Sequence, residues 1–197
     1  MALIRAFIAI ELPAPVQEAL AGVQQRLRSE AGGRAGRWVR AESIHITLKF
    51  LGDIEGTGVP AVSAGMRRAC AGIAPFDLII EGLGCFPNSR RPRVVWAGIR
   101  APYPELSTLY ERIEARVVRM GYAAERRRFS PHLTLARVRR DVHSRETEAL
   151  GRSVTAHPVN IIGRVSVHGI SLIQSELTPQ GALYTPLVSV SLHHKAG

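Results

Sequence analysis

One tetrapeptide, His-x-Thr-Leu, occurs twice in this chain. Its copies lie in Ser43-Ile44-His45-Ile46-Thr47-Leu48-Lys49-Phe50 and in Ser130-Pro131-His132-Leu133-Thr134-Leu135. Alternation of apolar and polar residues with a period of two is the mark of a half-buried β-strand. In the first copy it predicts Ile44, Ile46, Leu48 and Phe50 on a core face, with Ser43, His45, Thr47 and Lys49 on the other. A histidine and a threonine two positions apart then point the same way, about 6.6 Å apart along the strand. Side by side on a rigid surface, an imidazole and a hydroxyl can converge on a small anion. A single histidine on a strand is more often a structural or surface residue than a catalyst. Its repetition with the threonine partner points to chemistry.

The copies stand 132 − 45 = 87 residues apart in a chain of 197, close to half its length, as a duplication predicts. That length fits one domain, or one domain made of two similar lobes, and suffices to bury a hydrophobic core. An apolar content of 46% with mixed charge argues against disorder. No apolar run approaches a membrane span, and the first residues read as a strand that begins too early for a signal peptide, so a cytoplasmic location is expected. Cys70 and Cys85 sit among apolar neighbours without metal-ligand spacing and read as reduced core thiols.

A net charge of +10 suggests a polyanionic partner, and arginines cluster at Arg90, Arg91 and Arg93, at Arg126 to Arg128, and at Arg139 and Arg140. The signal is discounted because only Lys49 and Lys195 of the 26 basic residues are lysine, an imbalance that nucleotide bias in a genome explains more simply than selection. For each cluster a solvated loop is as good a reading as a phosphate contact.

Around the motifs, strands and helices alternate. Arg5 to Ile10 suits a first strand, and Pro13 and Pro15 open a helix with Val16, Leu20, Val23 and Leu27 along one face. Residues 31–36 form a glycine-rich loop, and Arg37 to Arg40 lead into the first motif strand, which stops at Gly52-Asp53. A second amphipathic helix covers 59–73. Phe76 to Gly84 and Arg93 to Arg100 pair as a hairpin with a long basic tip. Pro102 and Pro104 start a helix striped by Leu106, Leu109, Tyr110, Ile113, Val117 and Met120, and Gly121 stops it. After the second motif strand come a short helix near 144–152 and strand-like runs over 159–177 and 183–192, joined by the turn-forming Thr178-Pro179-Gln180-Gly181. The expected architecture is α+β, with two antiparallel sheets lining a central cleft and helices packed outside.

Two facing imidazoles can serve as one acid and one base in the same turnover. The sequence offers no carboxylate or Cys/His cluster for a metal, so a phosphodiester, attackable without one, fits the pair. The threonine hydroxyls would donate to its non-bridging oxygens, although β-propensity alone accounts for either threonine equally well. His143, His157, His168, His193 and His194 lack the threonine partner and read as surface or loop residues. Trp38 and Phe129, near the starts of the motif strands, suit either stacking on a terminal base or plain packing.

The paired motifs resemble those of the 2H phosphoesterase superfamily. Four features narrow the likeness: Arg5-Ala6-Phe7-Ile8-Ala9-Ile10; His45 to Gly52; Phe129 to Arg137, read as Phe-x-Pro-His-Leu-Thr-Leu-Ala-Arg; and a late Ser175-x-Leu177 with Gly181 and Tyr184. Together they resemble the RNA 2′,3′-cyclic phosphodiesterase branch, also described as bacterial 2′-5′ RNA ligase-like, over nearly the whole chain. The resemblance implies a bilobal fold with pseudo-two-fold symmetry and metal-free, cofactor-free hydrolysis of 2′,3′-cyclic phosphates to 2′-phosphates. It makes His45 the proton donor and His132 the acceptor, with Thr47 and Thr134 holding the phosphate. Arg128 and Arg137 are further candidates for phosphate or RNA contact. RNA ends or small cyclic nucleotides are the expected substrates, for a monomer without an obligate protein partner. Two alternatives stay open: reversible 2′-5′ ligation at the same site, and an RNA-binding module without turnover.

Overall fold

A strand with only one covered face buries every second residue, yet β1 (Leu3–Glu11) is buried continuously from Ala6 to Ile10. Ala6, Ile8 and Ile10 belong to the main core, whereas Phe7 and Ala9 form a small separate cluster with Ile173. Both faces of β1 are therefore covered. The computed structural model describes residues 3–100, 102–156, 160–178 and 181–193. His157 and His194, and part of the expected turn after Thr178, lie outside them.

The other strands are β2 (Gly36–Trp38), β3 (His45–Glu55), β4 (Phe76–Phe86), β5 (Val94–Ile99), β6 (His132–Val138), β7 (Ile161–Val167), β8 (Gly169–Thr178) and β9 (Gly181–Ser191). They form one nine-stranded antiparallel sheet in the order β7-β4-β5-β6-β3-β1-β8-β9, with β2 paired to β6. The expected pair of separate sheets is thus a single sheet, strongly curled as a half-barrel. What joins its two halves is one residue pair between β3 and β6, Ile46 with Leu133.

The helices are α1 (Ala14–Ser29), α2 (Val59–Cys70), α3 (Pro104–Arg119) and α4 (Ser144–Ala156). Val16, Leu20, Val23 and Leu27 are buried along α1, as their spacing predicts, and so is Gln24. The Gln24 amide donates to the Val39 and Leu135 carbonyls at 2.7 and 2.9 Å, so a polar group sits in the core with its donors used. The apolar run over 159–177 proves to be two strands. β7 pairs with β4 at one end of the sheet, and β8 pairs with β1 in the other half. A continuous apolar run does not reveal which partners each part serves.

Both motif strands carry a β-bulge at the same distance beyond the histidine. Between β1 and β3, Ala9 pairs with Thr47 but Ile8 with Lys49, which leaves Leu48 as the extra residue. Leu48 and Lys49 both turn inward, and Phe50 comes out on the face of His45 and Thr47, 63% exposed. This reverses the expectation that Phe50 is core and Lys49 lies on the polar face. The Lys49 ammonium, 6% exposed, stands 2.8 Å from a Glu114 carboxylate oxygen on α3 and donates to the Ala123 carbonyl at 2.7 Å. In β6, Val95 pairs with Ala136 but Trp96 with Thr134. Leu135 and Ala136 are both buried, and Arg137 emerges on the side of His132 and Thr134.

Candidate active site

Ile46 and Leu133 point into the core at the seam between β3 and β6, so their sequence neighbours point away from it. Continued by one residue, that register sets His45 across from Thr134 and Thr47 across from His132, since 45 + 134 and 47 + 132 both equal 46 + 133. Beyond the single pair the strands part. Between them opens a cleft of about 480 Å³ lined by His45, Thr47, His132 and Thr134. Neither threonine hydroxyl has a protein hydrogen-bond partner among the described residues, which leaves both as donors for a ligand.

The two imidazoles are held alike. His45 Nδ1 lies 2.9 Å from the Ser43 carbonyl oxygen, and His132 Nδ1 lies 2.8 Å from that of Ser130. A carbonyl only accepts, so each Nδ1 carries the hydrogen and each Nε2 is left for acid–base work. The rings sit in unlike surroundings. His45 stacks on Phe7 at 4.6 Å between centroids and meets Tyr184 edge-on at 5.2 Å, while His132 meets Phe86 edge-on at 5.0 Å. Burial among these rings lowers the pKa of His45, opposed by the Ser43 carbonyl and by the charge of Glu11. Glu11 is the direct cross-strand partner of His45, whereas the partner of His132 is Gly98.

The family described as LigT like Phosphoesterase matches residues 10–96 and again 99–184, one His-x-Thr motif in each. The chain belongs to this LigT-like family. It is 33% identical to the RNA 2′,3′-cyclic phosphodiesterase of Methanothermobacter thermautotrophicus over 93% of this chain and 96% of that protein. Among solved structures it is similar to TT0787 of Thermus thermophilus, at 30% identity and a TM-score of 0.77 over 95% of this chain and 97% of that one. It is also similar to E. coli LigT complexed with 3′-AMP, at 28% identity and a TM-score of 0.76, covering 97% of this chain and 99% of that one.

Within this LigT-like cleft the structure adds lining residues that the sequence pattern did not reveal: Arg5, Phe50, Ser175, Leu177 and Tyr184, beside the expected Arg137. In the sequence, Arg5, Ser175, Leu177 and Tyr184 carry no role beyond membership of strand-like runs and of the resemblance. Arg128 is exposed on the segment entering β6 and is not among the lining residues. Trp38 and Phe129 take the packing alternative. The Trp38 ring nitrogen donates to the Gly33 carbonyl at 3.0 Å, and Phe129 stacks on Tyr110 at 3.9 Å. His143, His168 and His193 are exposed away from the cleft. Burial pushes the thiols of Cys70 and Cys85 up to about 11, so neither is a thiolate at neutral pH. Among the described residues no group of three His, Cys, Asp or Glu side chains is placed to hold a metal ion, and no helix is long and apolar enough to cross a membrane.

Proposed function

We propose that this protein hydrolyses 2′,3′-cyclic phosphate ends of RNA to 2′-phosphate ends, with His45 as proton donor and His132 as proton acceptor and with no metal ion. The observation that carries the reading is the matched pair of imidazoles, each fixed through Nδ1 and each presenting Nε2 to one cleft beside a free threonine hydroxyl. The cleft has the size of a nucleotide site and is walled on one side by the rings of Phe50 and Tyr184, which suit a base. The relatives' names and the bound 3′-AMP of E. coli LigT support the same substrate class.

In the forward step His132 Nε2 takes a proton from water as its oxygen attacks phosphorus. The bond from phosphorus to O3′ breaks, and the Nε2–H of His45 gives its proton to that oxygen, leaving a 2′-phosphate and a 3′-hydroxyl. Thr47, Thr134 and Arg137 hold the non-bridging oxygens as charge develops on them. Arg128 acts further out, as an attracting charge at the start of β6. Glu11, the cross-strand partner of His45, acts in favour of the imidazolium there, against the burial that lowers this ring's pKa, and the corresponding partner of His132 is the uncharged Gly98. The two motif-bearing halves form one catalytic unit, which works as a cytoplasmic monomer without a protein partner. Joining 2′-5′ ends is the same step with an RNA 5′-hydroxyl in place of water: His132 takes its proton, the bond from phosphorus to O3′ breaks and His45 protonates that oxygen, while cleavage of a 2′-5′ linkage runs this step backwards.

The test is incubation, in EDTA, with an oligonucleotide ending in a 2′,3′-cyclic phosphate, followed by analysis of the end formed. Turnover to a 2′-phosphate that survives chelation and is lost in both His45→Ala and His132→Ala is the expected result. Unchanged RNA binding in those variants, with no product from the wild type, would identify a binding module instead.

A further inference from the structure

The paired bulges give the cleft unlike ends. In each half the bulge admits the residue five places after the histidine (50 − 45 and 137 − 132), and that residue is Phe50 in one half and Arg137 in the other. Arg137 also lines a second, shallower groove of about 680 Å³, whose other lining includes Arg37, Arg139 and Arg140. The groove and the cleft therefore meet at one residue, Arg137.

The charge arrangement there is unfavourable for a chain on its own. Arg37 and Arg137 are direct cross-strand partners in the β2–β6 ladder, where like charges repel. Of the groove's arginines, Arg139 is paired with Asp141 at 2.6 Å, while Arg37, Arg137 and Arg140 have no carboxylate partner among the described residues. At the other end of the cleft Arg5 stands opposite Asp53 in the register, so its charge has a nearby opposite. A genome-wide preference for arginine accounts for how many there are, but not for an unpaired set opposed across one ladder and continuous with the reaction site.

We infer that the RNA leading up to the reacting end leaves the cleft past Arg137 and lies single-stranded along the groove of Arg37 and Arg140, so that the preferred substrate is a polynucleotide end rather than a free cyclic nucleotide. This rests on the cyclic-phosphodiesterase reading and extends it. The terminal base takes the Phe50 end, and the upstream phosphates take the arginine end, where each neutralises a cation that is otherwise repelled.

The experiment compares kcat/KM for a 2′,3′-cyclic mononucleotide and for an RNA of about ten nucleotides ending in the same group, between about 50 and 200 mM salt. The longer substrate is expected to show the steeper salt dependence. In Arg37→Ala/Arg140→Ala its log–log slope should fall by about 1.4, near 0.7 for each phosphate that is no longer neutralised, while the mononucleotide stays within about twofold. Arg37→Glu/Arg140→Glu should deepen the loss for the RNA alone. Equal salt slopes for the two substrates, a parallel loss on both in the variants, or a preference for blunt duplex RNA overturns the inference. If the wild type turns over neither substrate, the cyclic-phosphodiesterase reading is what fails. Fluorescence anisotropy with a 3′-phosphorylated RNA of the same length then decides the groove: weaker binding by both double variants upholds it, and unchanged binding removes it.

Discussion

At His45 three influences meet: burial against Phe7 and Tyr184 disfavours the charged ring, while the Ser43 carbonyl and Glu11 favour it. The donor role proposed for His45 requires the charged ring, so its lowered pKa should bring the alkaline fall of kcat/KM to lower pH than an exposed imidazole would give. Glu11→Gln removes the one carboxylate paired across from the ring and should move that limb lower still, with activity lost earlier as pH rises. The charged residues lining the pockets around His45 are Glu11 on β1, Glu42 before β3, Arg137 across the cleft on β6 and, farther along β1, Arg5, with Tyr184 on β9 and His132 on β6 also titratable. A pH profile of kcat/KM on a cyclic mononucleotide checks this, and an unmoved alkaline limb would place the donor elsewhere. The alternation in the sequence was enough to put His45 with Thr47 and His132 with Thr134 on common faces. It could not show Phe50 and Arg137 joining them, because one inserted residue inverts the parity of everything beyond it. The adjacent apolar residues Leu135-Ala136 were the available sign in β6, whereas in β3 the long stem of Lys49 passed for an outward residue.

The buried ammonium of Lys49 ties β3 to α3 and to the segment after it, through Glu114 and the Ala123 carbonyl. Glu114 also accepts from the Glu125 backbone N–H at 2.7 Å, so one ion pair orders the approach to β6 as well as the flank of β3. Lys49→Ala leaves the carboxylate under cover without its cation and should cost roughly 3 kcal/mol in urea unfolding. Lys49→Met combined with Glu114→Leu should cost much less than the sum of the single changes, since both charges leave together. Additive losses would show that the two side chains act independently. Element types were largely readable: prolines mark the starts of α1 and α3, and 3.6-residue spacing gives their inner faces. Partners were not, as Gln24 and Lys49 show, because a buried polar residue looks like a surface one until the atom it bonds is known.

Two family matches of nearly equal length, 10–96 and 99–184, suggest halves that could be separated, but the sheet is woven across that boundary. β1, which leads into the first match, and β4, within it, each take one neighbour from the second, β8 and β7 respectively, and β5, at the boundary itself, lies between β4 and β6. Residues 1–98 alone should therefore fail to give a cooperative thermal transition by circular dichroism, since β1, β4 and β5 each lose a neighbouring strand and part of the core is missing. A sharp melt of that fragment would mean that each half is self-sufficient. Spacing of the motifs hinted at two units, and nothing local in the sequence could say that their strands are exchanged. Within the sheet, by contrast, the seam of β3 against β6 is one rung, Ile46 with Leu133, both fully buried. With so little ladder to fix the gape, the span between the two ring nitrogens is governed by the girth of the side chains wedged beneath. Those core positions act as a spacer, through which a lineage could refit the jaws to a bulkier or slimmer phosphodiester while every reacting group stays as it is.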